Sequence, residues 1–276
     1  MPLSRSPILL TGCSTGIGRA TADLLVKAGY TVYATARRVD TLDELADAGA
    51  RVLALDVTDE ESMVAAVRAV EADHGRVGTL VNNAGYGEYG PVEEADLASV
   101  RRMFETNVFG LARMTQLVLP GMRAAGGGLV VNIGSMGGRL AFPVGGYYHA
   151  TKFAVEGLTD SLRNEVRAFG VDVVLVEPGA IRTNFEETIN SSAAVGNPDS
   201  PYADLVARVR RVNSGAYDSR LLSVGPDAVA RTILKVVEAT RPKSRYLVTT
   251  SARAMVHARR LGGDRLWDSI VRSQFG

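Results

Sequence analysis

Residues 7 to 18 read PILLTGCSTGIG, an apolar run that stops in a glycine-rich turn. Ile8, Leu9 and Leu10 read as a buried strand. From Ile17 to Ala28 apolar residues recur at helical spacing, and Gly29 stands where a helix-ending glycine belongs. Between strand and helix lies Thr11-Gly12-Cys13-Ser14-Thr15-Gly16-Ile17-Gly18. A turn so placed aims backbone N–H groups and the positive end of a helix at a phosphate, while its glycines let the backbone come close. The plainer reading is a tight turn that happens to be rich in glycine. Position separates the two, because a lone glycine pattern is a weak signal and one in the first βα turn of a βαβ series is a strong one.

The rest of the chain supplies that series. Apolar runs at 7–11, 31–37, 51–57, 77–82, 128–134, 171–177 and 245–249 read as seven strands. Helical periodicity covers 17–28, 60–74, 97–125, 148–169 and 226–240. Strands alternating with helices predict an α/β fold, a doubly wound parallel sheet of seven strands with helices on both faces. No low-complexity linker divides the chain, so residues 1–276 are expected to form a single dinucleotide-binding and catalytic domain. Over 184–223 turn-formers interrupt weak helical patterns, which predicts a mobile substrate-loop segment over the site. Residues 251–276 read as helix, turn and helix, a short C-terminal extension.

Composition narrows the partners. With 31 Lys and Arg against 30 Asp and Glu, the net charge of +1 provides no global field for nucleic acid or an anionic membrane. No run approaches the roughly 18 apolar residues of a membrane span, and the apolar stretch near the N-terminus is too short for a signal peptide. Cys13 is the single cysteine, so no internal disulfide can form, and a cytoplasmic, reducing compartment is expected. With no base beside it in sequence, Cys13 reads as a packing residue rather than a nucleophile, and no metal site is expected.

The ends of the next strands say which dinucleotide fits. An acid after the second strand would hold the ribose 2′-OH of NAD, whereas arginine accommodates the extra phosphate of NADP. Here Ala36 is followed by Arg37 and Arg38, whose guanidinium forks suit a phosphate, so NADP(H) is expected over NAD(H). Two arginines opening a solvated loop is the alternative. After the third strand, Asp56 can accept from an adenine amino group while Val57 offers its backbone, or Asp56 can cap the following helix. After the fourth, Asn83, Ala84 and Gly85 leave room for a flat ligand at the sheet edge.

The reacting groups are read from residues 147–152, YYHATK. Residues four apart share a helix face and residues five apart do not, so Lys152 pairs with Tyr148 rather than Tyr147. An ammonium near a phenol favours the phenolate, so Lys152 is expected to activate Tyr148 as an acid/base. His149 lies on another face. Ser135, at the end of the fifth strand, can hold a substrate oxygen, and Asn107 is an amide among apolar neighbours. Tyr86, Met136, Leu140, Phe142, Val144 and Phe185 can line an apolar pocket or simply pack.

Taken together, TGCSTGIG, DVT, NNAG, Asn107, Ser135, Tyr148-x-x-x-Lys152 and Pro178-Gly179 resemble the short-chain dehydrogenase/reductase family, in its single-domain, Rossmann-like branch. The resemblance covers residues 7–185 in motif, with a softer likeness to hydroxysteroid and retinol dehydrogenases. It implies a catalytic tetrad of Asn107, Ser135, Tyr148 and Lys152. It also implies that Asn107 holds a water in a proton relay and that Lys152 bonds the nicotinamide ribose. Asn83 to Gly85 would line the adenosine side, and Pro178, Gly179, Ile181 and Thr183 would contact the nicotinamide end. The implied partners are a carbonyl or alcohol substrate and a second copy of the chain, paired through the two long helices as a dimer. A tetramer is the larger option, which the extension can block. Many NADP-preferring relatives carry a basic residue where Thr15 stands, so the NADP expectation rests on Arg37, Arg38 and the missing acid. A non-catalytic, dinucleotide-sensing scaffold is the competing reading, and it has no need of an intact serine, tyrosine and lysine set.

Overall fold

The computed structural model describes residues 5–183, 198–219 and 221–275. Its framework is laid down by seven short apolar strands: β1 (Ile8–Leu10), β2 (Val32–Ala36), β3 (Arg51–Ala54), β4 (Thr79–Asn82), β5 (Gly128–Ile133), β6 (Val171–Glu177) and β9 (Arg245–Leu247). All pair in parallel in the order β3-β2-β1-β4-β5-β6-β9. The winding direction reverses between β1 and β4, and in open sheets of this kind ligands collect outside the strand C-termini at that switch.

The five inner strands are mostly apolar because both of their faces are covered, whereas the edge strands β3 and β9 are partly exposed and each begins with an arginine. In β1, Ile8 and Leu10 point to one face and Leu9 to the other, and all three are fully buried. The first face packs on α1 (Gly16–Lys27), through Ala22 and Leu25, and on α8 (Pro226–Glu238), through Val229, Ile233 and Val236. The second packs on α3 (Glu60–His74), through Val67 and Val70, and on α5 (Leu111–Ala124), through Met114 and Val118. Burying each of the larger of these side chains stabilises the fold by about 1.5–3 kcal/mol relative to exposure. Helix α6 (Gly146–Glu165) completes this layer, with Val155 against Leu111 and Leu175.

All seven anticipated strands are present, most of them shorter than read. Helix 97–125 is not continuous: α4 (Leu97–Phe104) passes through a π-helical turn, Glu105–Gly110, before α5 begins. Asn107 sits in that wider turn. Helix α6 starts two residues before 148 and ends at Glu165, followed by a 3-10 turn, Arg167–Phe169, that Gly170 closes. Three pieces had no counterpart in the sequence reading: α2 (Asp43–Asp47) and the two-stranded pair β7 (Ala180–Ile181) with β8 (Ser223–Val224). Of the 184–223 segment, 198–219 and 221–223 are described, and Ala203–Asp218 forms helix α7; residues 184–197 and 220 lie outside the described residues. The C-terminal extension is α9 (Thr250–Phe275), kinked at Gly263, in agreement with a helix, a turn and a helix. No helix among the described residues is long and apolar enough to cross a membrane, and none of them forms a metal-binding cluster.

Candidate active site

The glycine turn leaves β1 and enters α1 at the switch point. Gly18 shows why it must be glycine. A Cβ there would lie 2.1 Å from the Gly12 carbonyl oxygen and 2.6 Å from Asn83 Nδ2. Asn83 fixes this contact by donating from Nδ2 to the carbonyls of Thr11 and Gly12, each at 2.9 Å. The backbone N–H groups of Asn83 and Ala84 both donate to Thr11 Oγ1 at 3.0 Å. Thr15 is the N-cap of α1, yet no side chain caps this helix end and its first turn holds no acid. The unsatisfied N–H groups and positive dipole end therefore suit a phosphate, and the residues present fit a dinucleotide. Ser14 and Ile17 lie in the same turn, and across the crevice Thr183 Cγ2 comes within 3.3 Å of where a Gly16 Cβ would be. This brings the 178–183 turn, with Pro178, Gly179 and Ile181, against the glycine loop.

Arg37 and Arg38 are exposed just past β2. Arg38 Nε is 3.8 Å from Asp40 Oδ1, whereas among the described residues no carboxylate pairs with Arg37. Asp56 does not cap α3. Asp59 does, accepting from Ser62 N at 3.0 Å, while Asp56 Oδ1 accepts from the Thr58 backbone and hydroxyl. Val57 is buried beside Gly110. Cys13 is fully buried, donates to the Leu10 carbonyl at 3.2 Å and is pushed up to about 12 by burial, as befits a packing thiol.

Ser135, Tyr148 and Lys152 come together beyond the end of β5. The Tyr148 phenol and the Ser135 hydroxyl are hydrogen-bond partners, and Ser135 Oγ also accepts from Gly137 N at 3.0 Å. Lys152 Nζ donates to the Ile133 carbonyl at 3.0 Å and lies 6.0 Å from the Tyr148 ring centroid. Asn107 is buried one layer behind. Its Nδ2 donates to Tyr86 O and to Thr151 Oγ1, and its Oδ1 accepts from Tyr86 N, which joins the π-helical turn to α6. The electrostatics depart from expectation: burial pushes Tyr148 up to about 12, opposed by the Ser135 hydrogen bond, and pulls Lys152 down to about 8. Desolvation disfavours both charged forms, so Tyr148 is held as a neutral phenol at neutral pH.

The whole chain is similar to known proteins. The sequence profile described as short chain dehydrogenase matches residues 6–194. The chain belongs to the short-chain dehydrogenase family. It is 39% identical over 206 residues to 3-ketodihydrosphingosine reductase of Bacteroides thetaiotaomicron, covering 74% of each chain. With estradiol 17-beta-dehydrogenase 1 of Rattus norvegicus it shares 37% identity over 257 residues, 88% of this chain and 73% of that one. A short-chain dehydrogenase structure from Streptomyces avermitilis superposes with a TM-score of 0.81 at 38% identity, covering 96% of both chains. Family neighbours have been solved with NAD, from Burkholderia phymatum at 27% identity, and with NADP, from a metagenome at 29% identity.

In this short-chain dehydrogenase the fold adds groups around the candidate site that the sequence does not announce. Tyr89 places its ring 5.9 Å from that of Tyr148, and burial holds its phenol well above the ordinary value. His149 is buried, faces the Gly137 carbonyl through Nδ1 at 3.0 Å and is pulled down to about 4 by burial. It is a neutral brace for the loop after Ser135. Behind the strands, Asn82 Nδ2 donates to Thr115 Oγ1 and Asn132 Oδ1, and Asn132 Nδ2 donates to Thr159 Oγ1, a buried chain joining β4, β5, α5 and α6. Its sequence signal is an asparagine at the same register of two adjacent strands. Of the anticipated pocket residues, Val144 and Phe142 cluster with Tyr89, Val206, Val209 and Phe275, so α7 and the extension wall this side. Leu140 and Met136 instead pack with Trp267 and Val256 under the extension, and Phe185 lies outside the described residues.

Proposed function

We infer that this oxidoreductase uses NADP(H) and reduces a carbonyl, or oxidises the matching alcohol, of a fairly apolar small molecule. The single observation that carries this reading is the Ser135–Tyr148 hydrogen bond, with Lys152 behind it, at the strand edge that also holds the uncapped glycine turn. Bound nicotinamide supplies or accepts the hydride. Ser135 holds the substrate oxygen, and Tyr148, kept protonated by burial, donates its proton to the developing alkoxide. Asn107 would hold a relay water near Thr151, and Lys152 would bond the nicotinamide ribose. A neutral phenol is the form that carbonyl reduction needs, which favours the reductive direction at neutral pH. Arg37, exposed and without an ion-pair partner among the described residues, favours the 2′-phosphate of NADP.

The apolar side of the substrate is supported by Tyr89, Phe142 and Val144 beside the phenol. A homodimer is supported by exposed apolar side chains on the π-helical turn and α6: Phe109, Phe153 and Leu158 are 55%, 47% and 43% exposed. A cytoplasmic location fits the single buried thiol. The test is NADPH consumption, followed by absorbance, with a panel of steroid, long-chain and aromatic ketones, each repeated with NADH. Turnover of apolar ketones with NADPH preferred is expected; no turnover of any carbonyl, with dinucleotide still bound, favours the scaffold reading.

A further inference from the structure

Behind the catalytic helix lies a cluster that the reaction does not use. Glu156 is one turn beyond Lys152 on α6, and Glu177 is the last residue of β6, directly before Pro178 and Gly179. Glu177 is fully buried and Glu156 nearly so. One oxygen of each is held by arginine: Glu177 Oε1 accepts from Arg139 Nη1 at 3.3 Å, and Glu156 Oε2 accepts from Arg245 Nη2 at 3.1 Å. The other oxygens, Glu156 Oε1 and Glu177 Oε2, are buried without a donor, although the two carboxyl groups are hydrogen-bond neighbours. Two carboxylates have no hydrogen to place between them, and two buried negative charges in contact repel. A single proton removes both defects. Burial and the Glu177 carboxylate hold Glu156 above the ordinary carboxylate range, in the direction this requires.

We propose that Glu156 and Glu177 hold one proton between them, and that this acid–carboxylate pair, clamped by Arg139 and Arg245, positions Lys152 and the 178–183 turn for the nucleotide. The geometry ties the three pieces that build the site. Arg139 belongs to the loop after Ser135. That loop approaches α6 so closely that a Cβ on Gly138 would lie 2.8 Å from the Lys152 carbonyl oxygen and 3.0 Å from Glu156 Cγ. Met136 N donates to Pro178 O at 2.9 Å, and Val248 N donates to Glu177 O at 3.1 Å. Other charged groups face the pair from each neighbouring element: Asp160 and Arg163 on α6, Arg245 on β9, and His257 and Arg260 on α9. A cavity of about 140 Å³ lined by Arg139, Glu177, Arg245, His257 and Arg260 opens beside Glu177 toward this rim. Loss of the proton at alkaline pH leaves two adjacent buried carboxylates and pushes α6 away from the end of β6.

The first arm of the test needs no nucleotide. A carboxyl raised in the fold makes unfolding release a proton, so its contribution is complete below about pH 4.5 and declines as pH rises through the folded value. Glu156→Gln keeps an acceptor for Arg245, donates an amide hydrogen to Glu177 and does not titrate. The melting temperature of this variant is expected to gain on wild type by roughly 3 °C per pH unit between about pH 5 and about pH 8. Other titrating groups are common to both proteins and cancel in the difference. A constant gap across that range overturns the shared proton. The second arm, which rests on the nicotinamide-dinucleotide reading above, is NADPH affinity by fluorescence. Wild type is expected to weaken severalfold from pH 6.5 to 9 relative to Glu156→Gln, and Glu156→Ala to bind weakly throughout. Parallel pH profiles for wild type and Glu156→Gln overturn the positioning role. Absence of NADPH binding in every variant overturns the site reading and the positioning role with it, while the melting gap still decides the shared proton.

Discussion

Tyr147 and Tyr148 are adjacent in the chain but about 100° apart around α6, and that rotation gives them different surroundings. Tyr148 is buried against Ser135, Tyr89 and Lys152, whereas Tyr147 is only half-buried. Spacing alone anticipated which of the two lies beside Lys152. The protonation of the chosen phenol was not legible, because it depends on desolvation by side chains distant in sequence, and desolvation outweighs the Ser135 hydrogen bond here. The same limit hid Tyr89 and the neutral state of His149. Arg37 was legible, since its place after β2 is set by the strand pattern. A charge-assisted bond from Arg37 to a 2′-phosphate is worth about 1.5–3 kcal/mol. Arg37→Ala should therefore lower kcat/KM for NADPH about 10- to 100-fold and leave that for NADH nearly unchanged. Equal losses for both cofactors would mean that the guanidinium does not meet that phosphate.

At the scale of elements, the five inner strands could be read because strands covered on both faces are written as continuous apolar runs, and the edge strands β3 and β9 from the shorter runs 52–55 and 246–248. The π-helical turn at Asn107 could not, since one extra residue in a helical turn leaves almost no mark on hydrophobic periodicity. Likewise β7 and β8 are two residues each, too short to show any pattern. The glycine turn was legible down to its glycines, but not that Asn83 and Thr11 brace it. Gly18→Ala tests that bracing directly. Its methyl would collide with the Gly12 carbonyl, so a destabilisation of about 1–3 kcal/mol is expected, with at least tenfold weaker NADPH binding by fluorescence titration. Full retention of both would show that the loop is looser than its contacts indicate.

For the whole molecule, the extension is part of the fold and not an appendage. Trp267 is buried against Leu140 and Val256, donates from Nε1 to Ala141 O at 3.3 Å, and meets the Phe142 ring edge-on. Trp267→Ala should cost about 3–5 kcal/mol in denaturant unfolding and still give one cooperative transition. A separate early transition would show that α9 folds on its own. The pH response is also a property of the assembled chain. His149, pulled down to about 4 by burial, contributes stability that is complete above about pH 6.5 and is lost as pH falls through its folded value. His149→Asn should therefore hold its melting temperature better than wild type between pH 6.5 and 4, by a difference on the order of 10 °C, the equivalent of roughly 3 kcal/mol. Parallel melting curves would mean that His149 titrates normally. The proposed reaction turns on Tyr148, which α6 carries and whose phenol meets Ser135 beyond the end of β5. The most direct measurement is single-turnover reduction of an apolar ketone by NADPH in Tyr148→Phe, beside Tyr147→Phe and wild type. A fall of about 10²- to 10⁴-fold in Tyr148→Phe, with NADPH affinity kept and Tyr147→Phe close to wild type, is the predicted result; undiminished hydride transfer in Tyr148→Phe would contradict the account.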